Sequence, residues 1–143
     1  MGDLNNYIYA VLVVLAHIIV SGLHGIAHAQ NEVSLSDLQY VYVFLVSFVM
    51  PVAAALTLFF NRSMKMLKVG AWLLVVSMLG SLLFGITYHM VLPSSDNIFV
   101  VMTGPSLDSA IFFTSTATLL VIIDGLGSWL GAILVCRIAK VVP

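Results

Sequence analysis

The sequence predicts an all-α integral membrane protein: a bundle of four transmembrane helices joined by short loops. Of its 143 residues, 62% are hydrophobic and only 8% are charged, whereas a soluble domain has roughly 25% charged residues. The apolar residues also form four continuous segments, each near the ~20 residues that a helix needs to cross the hydrocarbon core. A water-soluble fold and a disordered chain are therefore excluded.

Each span has its own local signals, and we treat the whole chain, residues 1–143, as one transmembrane domain. Ser36 and Gln39 fit a capping box where span two begins, and Asp108 suits the start of span four. Pro51 should kink span two and free the carbonyl one turn earlier. The predicted spans are residues 7–29, 38–60, 69–92 and 109–136.

The first span has a second interpretation. Residues 27–29, Ala-His-Ala, resemble a signal-peptidase site. However, residues 1–6 contain no Lys or Arg, and the apolar stretch is longer than a usual signal core. We therefore expect this segment to remain as a membrane helix.

The five basic residues predict the orientation of the bundle. Arg62, Lys65 and Lys68 lie between spans two and three, and Arg137 and Lys140 follow span four. The other two connections contain neither Lys nor Arg. Because basic residues accumulate on the inner side, we expect both termini to be cytoplasmic and the protein to reside in the cell (plasma) membrane. So few basic residues also exclude a nucleic-acid partner.

All four histidines fall within predicted spans, and three of them share span one. His17, His24 and His28 are separated by seven and four residues. At ~100° per residue these separations place the three imidazoles near one stripe of the helix. His24 and His28, four residues apart, can chelate one metal ion from a single helix.

Small residues recur at four-residue intervals in three spans, and such stripes let membrane helices approach closely. His89 continues the series in span three, so we expect it to face the other helices. It then shares its depth with His24 and His28 and can meet them if spans one and three are neighbours. The stripes are Ser21, Gly25 and Ala29; Ser77, Ser81 and Gly85; and Gly127 and Gly131.

The predicted site of His24, His28 and His89 leaves two cofactors open. A b-type haem would use His89 with either His24 or His28, whereas a metal ion would use all three imidazoles. Copper is favoured over zinc, because Met90 and Met102 are soft donors on the same side. The alternative is that these histidines are interfacial or hydrogen-bonded residues without a ligand.

Asp124 lies in the middle of span four, where an acidic residue costs ~2.5–3.5 kcal/mol. His17 lies within ~5 Å of the same depth, so a buried His17–Asp124 pair is possible. Alternatively, Asp124 is neutral and bonded to a backbone carbonyl, such as the one that Pro51 frees. A salt bridge to another subunit is a third possibility.

Three functions remain open, and none requires the chain to be an enzyme on its own. The leading hypothesis is a non-catalytic accessory subunit of a larger respiratory or oxygenase-type complex, with other membrane subunits or further copies of the chain as partners. The compact, loop-poor build resembles such subunits at the level of the fold. The accessory-subunit hypothesis also explains the apolar run at residues 98–102, which could cover the histidine site.

The second hypothesis is a haem- or copper-binding redox subunit, since histidines on two of four helices resemble small membrane cytochromes b. The third is a proton or ion conductor that uses His17 and Asp124.

Overall fold

The computed structural model describes residues 2–61, 63–104 and 106–141, and over these residues it contains helices and no strand. Four helices are long and apolar enough to cross a membrane, as the sequence predicts. A short helix, α4, lies between the third and fourth spans. The helices are α1 Gly2–Gln30, α2 Asp37–Phe60, α3 Met64–Val91, α4 Ile98–Val101 and α5 Leu107–Val141.

Large apolar side chains are exposed along all four long helices, as the surface of an integral membrane protein requires. Ile19 on α1, Phe59 on α2, Leu83 on α3 and Trp129 on α5 are each more than half exposed. In water such a surface would aggregate, whereas in a bilayer it contacts lipid tails.

Three helices extend beyond the predicted spans. Helix α1 begins at Gly2 rather than at residue 7. The two helices that carry basic residues also extend further: α3 begins at Met64 rather than at residue 69, and α5 continues to Val141 rather than ending at residue 136. Long basic side chains can extend from a helix end toward the interface, so their charge does not end the helix. Arg62 lies outside the described residues. The basic residues carried on the two helices are Lys65, Lys68, Arg137 and Lys140.

The long helices pack in the cyclic order α1, α2, α3, α5. The backbones of α1 and α3 therefore lie diagonally opposite, so the condition that spans one and three are neighbours is not met. Short connections place consecutive helices side by side, which puts the first and third on a diagonal. Side chains from both helices can still meet in the interior.

Glycines allow α5 to pack closely on α3, whereas Gly25 does not serve the packing of α1. A Cβ on Gly127 would collide with the side chain of Met78, and one on Gly131 would lie 2.8 Å from Val75 Cγ2. The predicted stripe on α1 is wrong, because Gly25 is exposed and a Cβ there would meet nothing within 4 Å. The packed face of α1 instead contains Ala10, Val14, His17, His24 and Ala27.

Two π-helical segments lie toward one end of the bundle, where α1 ends and α5 begins; we call it the histidine end. Val43–Val49 lies within α2, and Thr87–Val91 forms the last turn of α3. Such wider turns are frequent at functional sites. Pro51 has no N–H, so the Ser47 carbonyl lacks its helical donor. The two segments direct this carbonyl and the ring of His89 into the bundle.

A small apolar cluster closes the histidine end. Val33, from the loop after α1, and Val101, from α4, are buried against α1 and α5. The apolar run at residues 98–102 thus packs over the end of the bundle, although Phe99, Val100 and Met102 remain exposed. The remaining buried members of this cluster are Ala27, Ala110 and Phe113.

Candidate metal centre

The structure brings His24, His28 and His89 together and adds a fourth group, Asp96. One ligand atom from each residue lies within 4.8 Å of the other three. His24 Nε2 lies 3.2 Å from His89 Nε2, and His28 Nε2 lies 3.2 Å from Asp96 Oδ1. The aromatic ring of Phe113 contacts all three imidazoles. The four groups thus surround one small volume at the histidine end.

Backbone carbonyls orient two of the imidazoles through Nδ1. His28 Nδ1 is 3.2 Å from the Val33 carbonyl, and His89 Nδ1 is 3.0 Å from the Asp96 carbonyl. A carbonyl can only accept a hydrogen bond, so each Nδ1 must carry the proton. A neutral imidazole has one N–H. We therefore assign unprotonated Nε2 atoms to both rings.

Thr116 orients the third imidazole in the same way. His24 Nδ1 is 2.9 Å from Thr116 Oγ1. The Thr116 hydroxyl donates its own proton to the carbonyl of Phe112 or Phe113, at 2.9 and 3.0 Å. Its oxygen therefore accepts from His24 Nδ1–H, and the His24 Nε2 atom is also unprotonated.

These assignments leave acceptor atoms facing one another. With all three rings neutral in these tautomers, the lone pairs of His24 Nε2 and His89 Nε2 meet at 3.2 Å without a proton between them. Asp96 is 3% exposed, its Oδ1 lies 3.2 Å from His28 Nε2, and its Oδ2 has no hydrogen-bond partner among the described residues. Its Oδ1 is 3.1 Å from His89 Nδ1, but that N–H is directed at the Asp96 carbonyl. A bound cation satisfies all of these groups together.

The spacing suits a single ion better than a haem. Metal–imidazole bonds are about 2.0–2.1 Å, so two nitrogens on one tetrahedral ion are about 3.3 Å apart. The His24–His89 separation is 3.2 Å. Axial haem ligands would lie on opposite sides of the iron, about 4 Å apart, with a porphyrin between them. The rings of His28 and Phe113, centred 4.7 and 4.8 Å from that of His24, occupy that space.

The chain on either side of the site holds two of its groups in place. Glu32 has a φ of 54°, in the left-handed region that is costly for a residue with a side chain. This turn lets Val33 N–H bond to the His28 carbonyl while the Val33 carbonyl returns to the His28 ring. Asn97 donates to the Leu92 carbonyl at 2.9 Å and so fixes the loop that carries Asp96.

Asp96 is the site residue that the sequence analysis missed. It lies in the connection between spans three and four, which entered the sequence analysis only for its lack of Lys and Arg. The available signal was its position seven residues after His89, in a connection that must cross the end of the bundle.

Met102, one of the two predicted soft donors, is 43% exposed. That exposure weakens the reason for preferring copper.

A second buried pair lies deeper in the bundle, between α1 and α5. His17 Nδ1 is 2.7 Å from Asp124 Oδ1, and the side chains are 1% and 3% exposed. His17 Nε2–H donates to the Ser47 carbonyl at 2.7 Å. Because that donor is occupied, the contact between Nδ1 and Oδ1 requires one shared proton. The carbonyl that Pro51 frees thus accepts from His17 and not from Asp124.

A cavity of about 380 Å³ connects the two groups. His24, His28 and His89 line one end, while His17 and Asp124 line the other. Its remaining walls are mainly apolar side chains of α2 and α3. The pair and the histidine cluster therefore face the same cavity.

Comparison with known proteins adds nothing to this picture. No protein-family model matches the chain, and no curated protein or solved structure is significantly similar to it. What the fold defines is a small integral membrane protein of four spans with a buried cluster of three histidines and one aspartate. Function must therefore be inferred from that cluster.

Proposed function

We propose that this is a metal-binding membrane protein whose ion is held by His24, His28, His89 and Asp96. One observation carries the proposal: the Nε2 atoms of three imidazoles and the Asp96 carboxylate face one another in one small volume. The Nδ1–H groups of the three imidazoles point away from this volume. They donate to the Val33 carbonyl, the Asp96 backbone carbonyl and the Thr116 hydroxyl. Metal-binding histidines characteristically donate their second N–H to such outer partners.

The donor set indicates a late first-row divalent ion, Zn²⁺ or Cu²⁺. Imidazole nitrogen suits both ions, and carboxylate oxygen completes common zinc sites. Mg²⁺ and Ca²⁺ prefer shells made of oxygen, which three imidazoles do not supply.

The test is the metal content of the purified protein after loading with Zn²⁺ or Cu²⁺ and removal of free ion. We expect one ion per wild-type chain and a loss of at least tenfold in affinity for His24→Ala, His28→Ala and His89→Ala. His17→Ala is the matched control, because it removes a buried imidazole from the same helix and should keep the ion. Failure of the wild type to bind, or equal loss in all four variants, would refute the proposal.

The wider roles predicted from the sequence stay predictions. An accessory role in a respiratory or oxygenase-type complex fits the described residues, which form no domain outside the bundle. A redox role would follow if the site selects copper over zinc. Conduction through His17 and Asp124 is supported by the shared proton alone.

We also propose that the histidine end faces the outside of the cell, because the basic residues lie at the opposite end. The test is labelling of intact cells with a membrane-impermeant maleimide. Both cysteine variants are made in a protein that carries Cys136→Ser, because the exposed thiol of Cys136 could itself react with the maleimide. Ser95→Cys should be labelled and Ser63→Cys should not. The reverse pattern would overturn the orientation and leave the metal site unaffected.

A further inference from the structure

The cavity between the two buried groups has the size of a binding site for a small molecule. Its volume, about 380 Å³, falls within the roughly 300–1,000 Å³ of such sites. Helix α1 packs along the Met50–Phe60 part of α2 and much less along Val43–Val49. The two helices thus separate toward the histidine end. Tyr40 and Phe44, both exposed, lie at this gap, so the cavity opens toward lipid.

Two glycines on α1 keep this cavity open. Gly22 and Gly25 line it, and a Cβ on either would meet nothing within 4 Å. Glycine inside a helix is unfavourable relative to alanine, and these two bring no neighbouring helix closer in return. The helix stability that these two glycines cost is explained if the space beside them is needed for a ligand.

The cavity is polar at its two ends and apolar between them. His17 and His24 are seven residues apart on α1, a rise of about 10.5 Å. A single six-membered ring with an oxygen on each side, plus a hydrogen bond of about 2.7–3.0 Å at each end, spans such a distance. Three phenylalanines line the space between, and their faces suit a flat ring: Phe44, Phe48 and Phe84.

We propose that the cavity binds an uncharged, lipid-soluble ring compound with oxygens on opposite sides, of the quinone or quinol class. The compound enters from the bilayer between α1 and α2, because a charged ligand could not cross that apolar mouth cheaply. One oxygen meets the His17–Asp124 pair, where a quinol hydroxyl donates to the Asp124 carboxyl, since both His17 nitrogens already have partners. The other oxygen meets the histidine cluster, where a quinol hydroxyl donates to an unprotonated Nε2 and a quinone oxygen would face the bound ion. Only this second contact rests on the proposed function.

The direct test measures how far decylubiquinone and its quinol form raise the unfolding temperature of the detergent-solubilised protein, with Zn²⁺ and with a chelator. We expect a saturable rise with the quinol in both conditions, and with the quinone when Zn²⁺ is present. Decylbenzene, which has a similar ring and tail without the oxygens, should produce none. An equal response to decylbenzene and to the quinol would show ordinary partitioning into apolar surface and would overturn the inference.

Three glycine variants place the binding in the cavity. Gly22→Leu and Gly25→Leu should weaken decylubiquinone binding at least tenfold while keeping one ion per chain. Gly125→Leu is the control, because a Cβ there also meets nothing within 4 Å and Gly125 does not line the cavity. Equal binding by all three variants would overturn the proposal.

A labelling experiment on the wild type does not depend on any variant folding. A photoactivatable quinone analogue should label peptides that contain residues 22–28 or 40–48, and excess decylubiquinone should suppress the labelling. Labelling confined to other peptides would refute the site. Quinol binding without ion binding would instead refute the metal centre and leave the cavity proposal standing.

Discussion

The deep pair and the histidine cluster are both built from histidine and aspartate, and they differ in where their imidazole N–H groups point. His17 directs Nε2–H to the Ser47 carbonyl and meets Asp124 through Nδ1, so both ring nitrogens have partners inside the bundle. In the histidine cluster each Nδ1–H points outward, and the acceptor atoms that remain face one another. With neutral rings in the cluster, the deep pair is completed by one shared proton, whereas the cluster is completed by a cation.

This difference teaches that burial and residue type do not distinguish a structural pair from a metal site. His17, His24 and His89 are all buried, and all lie close to other polar groups. The tautomer, fixed by the hydrogen bond on the far side of the ring, separates the two cases. The outer partners Val33 and Thr116 are therefore as informative as the ligands.

The largest expected effect tests whether the deep pair is complete without metal. Asp124→Ala leaves the His17 ring without its partner, and breaking such a buried pair costs about 3–5 kcal/mol. The free energy of unfolding, measured in mixed micelles with a chelator present, should fall by that amount. Asp96→Ala, measured in the same metal-free conditions, should show no comparable loss. Equal losses would erase the distinction between the two groups.

The next effect is the stabilisation that metal gives to the cluster. At a free Zn²⁺ concentration 100 times the Kd, binding to the folded state should add about 2.7 kcal/mol to the free energy of unfolding. His89→Ala should abolish this increment. His17→Ala should lower the metal-free stability and keep the increment. A Zn²⁺ increment that depends on His17 and not on His89 would reverse our assignment.

A smaller effect of opposite sign is expected for Asp96→Asn. In the metal-free protein the amide can donate a hydrogen bond to the unprotonated His28 Nε2 atom, at 3.2 Å from Oδ1 in the wild type. We expect a gain of about 1 kcal/mol without metal and a weaker affinity for Zn²⁺. Unfolding with a chelator and Zn²⁺ titration measure the two quantities. A loss of metal-free stability would argue that Asp96 already has a hydrogen-bond donor.

The smallest effect concerns the turn that supports His28. Glu32→Gly should stabilise the protein by up to about 1 kcal/mol, because glycine adopts the left-handed conformation without the steric cost. Glu32→Ala retains that cost and should give no gain. Metal affinity should be unchanged in both variants, since the Val33 carbonyl keeps its place. Thermal unfolding and Zn²⁺ titration check these two outcomes.

Much of the fold could be predicted because membrane helices depend on local rules. Length and hydropathy identify the spans, and the Ser36–Gln39 capping box forms as expected. The inward position of His89 followed from the small-residue stripe of its helix. In α1 the same kind of stripe gave a wrong prediction of helix packing, because Gly25 faces the cavity rather than another helix.

The parts that could not be predicted depend on tertiary structure. The diagonal placement of α1 and α3 is a property of the whole bundle, and no single span encodes it. The π-helical turn at Thr87–Val91, which carries His89, contains no residue in the sequence that would predict it. Asp96 reaches the site through the path of a loop, which Asn97 and the His89 hydrogen bond fix only after folding.

The diagonal relation of α1 and α3 has a consequence for biosynthesis. Spans enter the membrane in chain order, so His24 and His28 are in place while His89 and Asp96 are still to be made. On our proposal the ion can be captured only after the third span and the loop behind it have emerged. It then joins two helices whose backbones scarcely touch. Metal loading would thus be a late step of maturation that distinguishes finished chains from partly inserted ones.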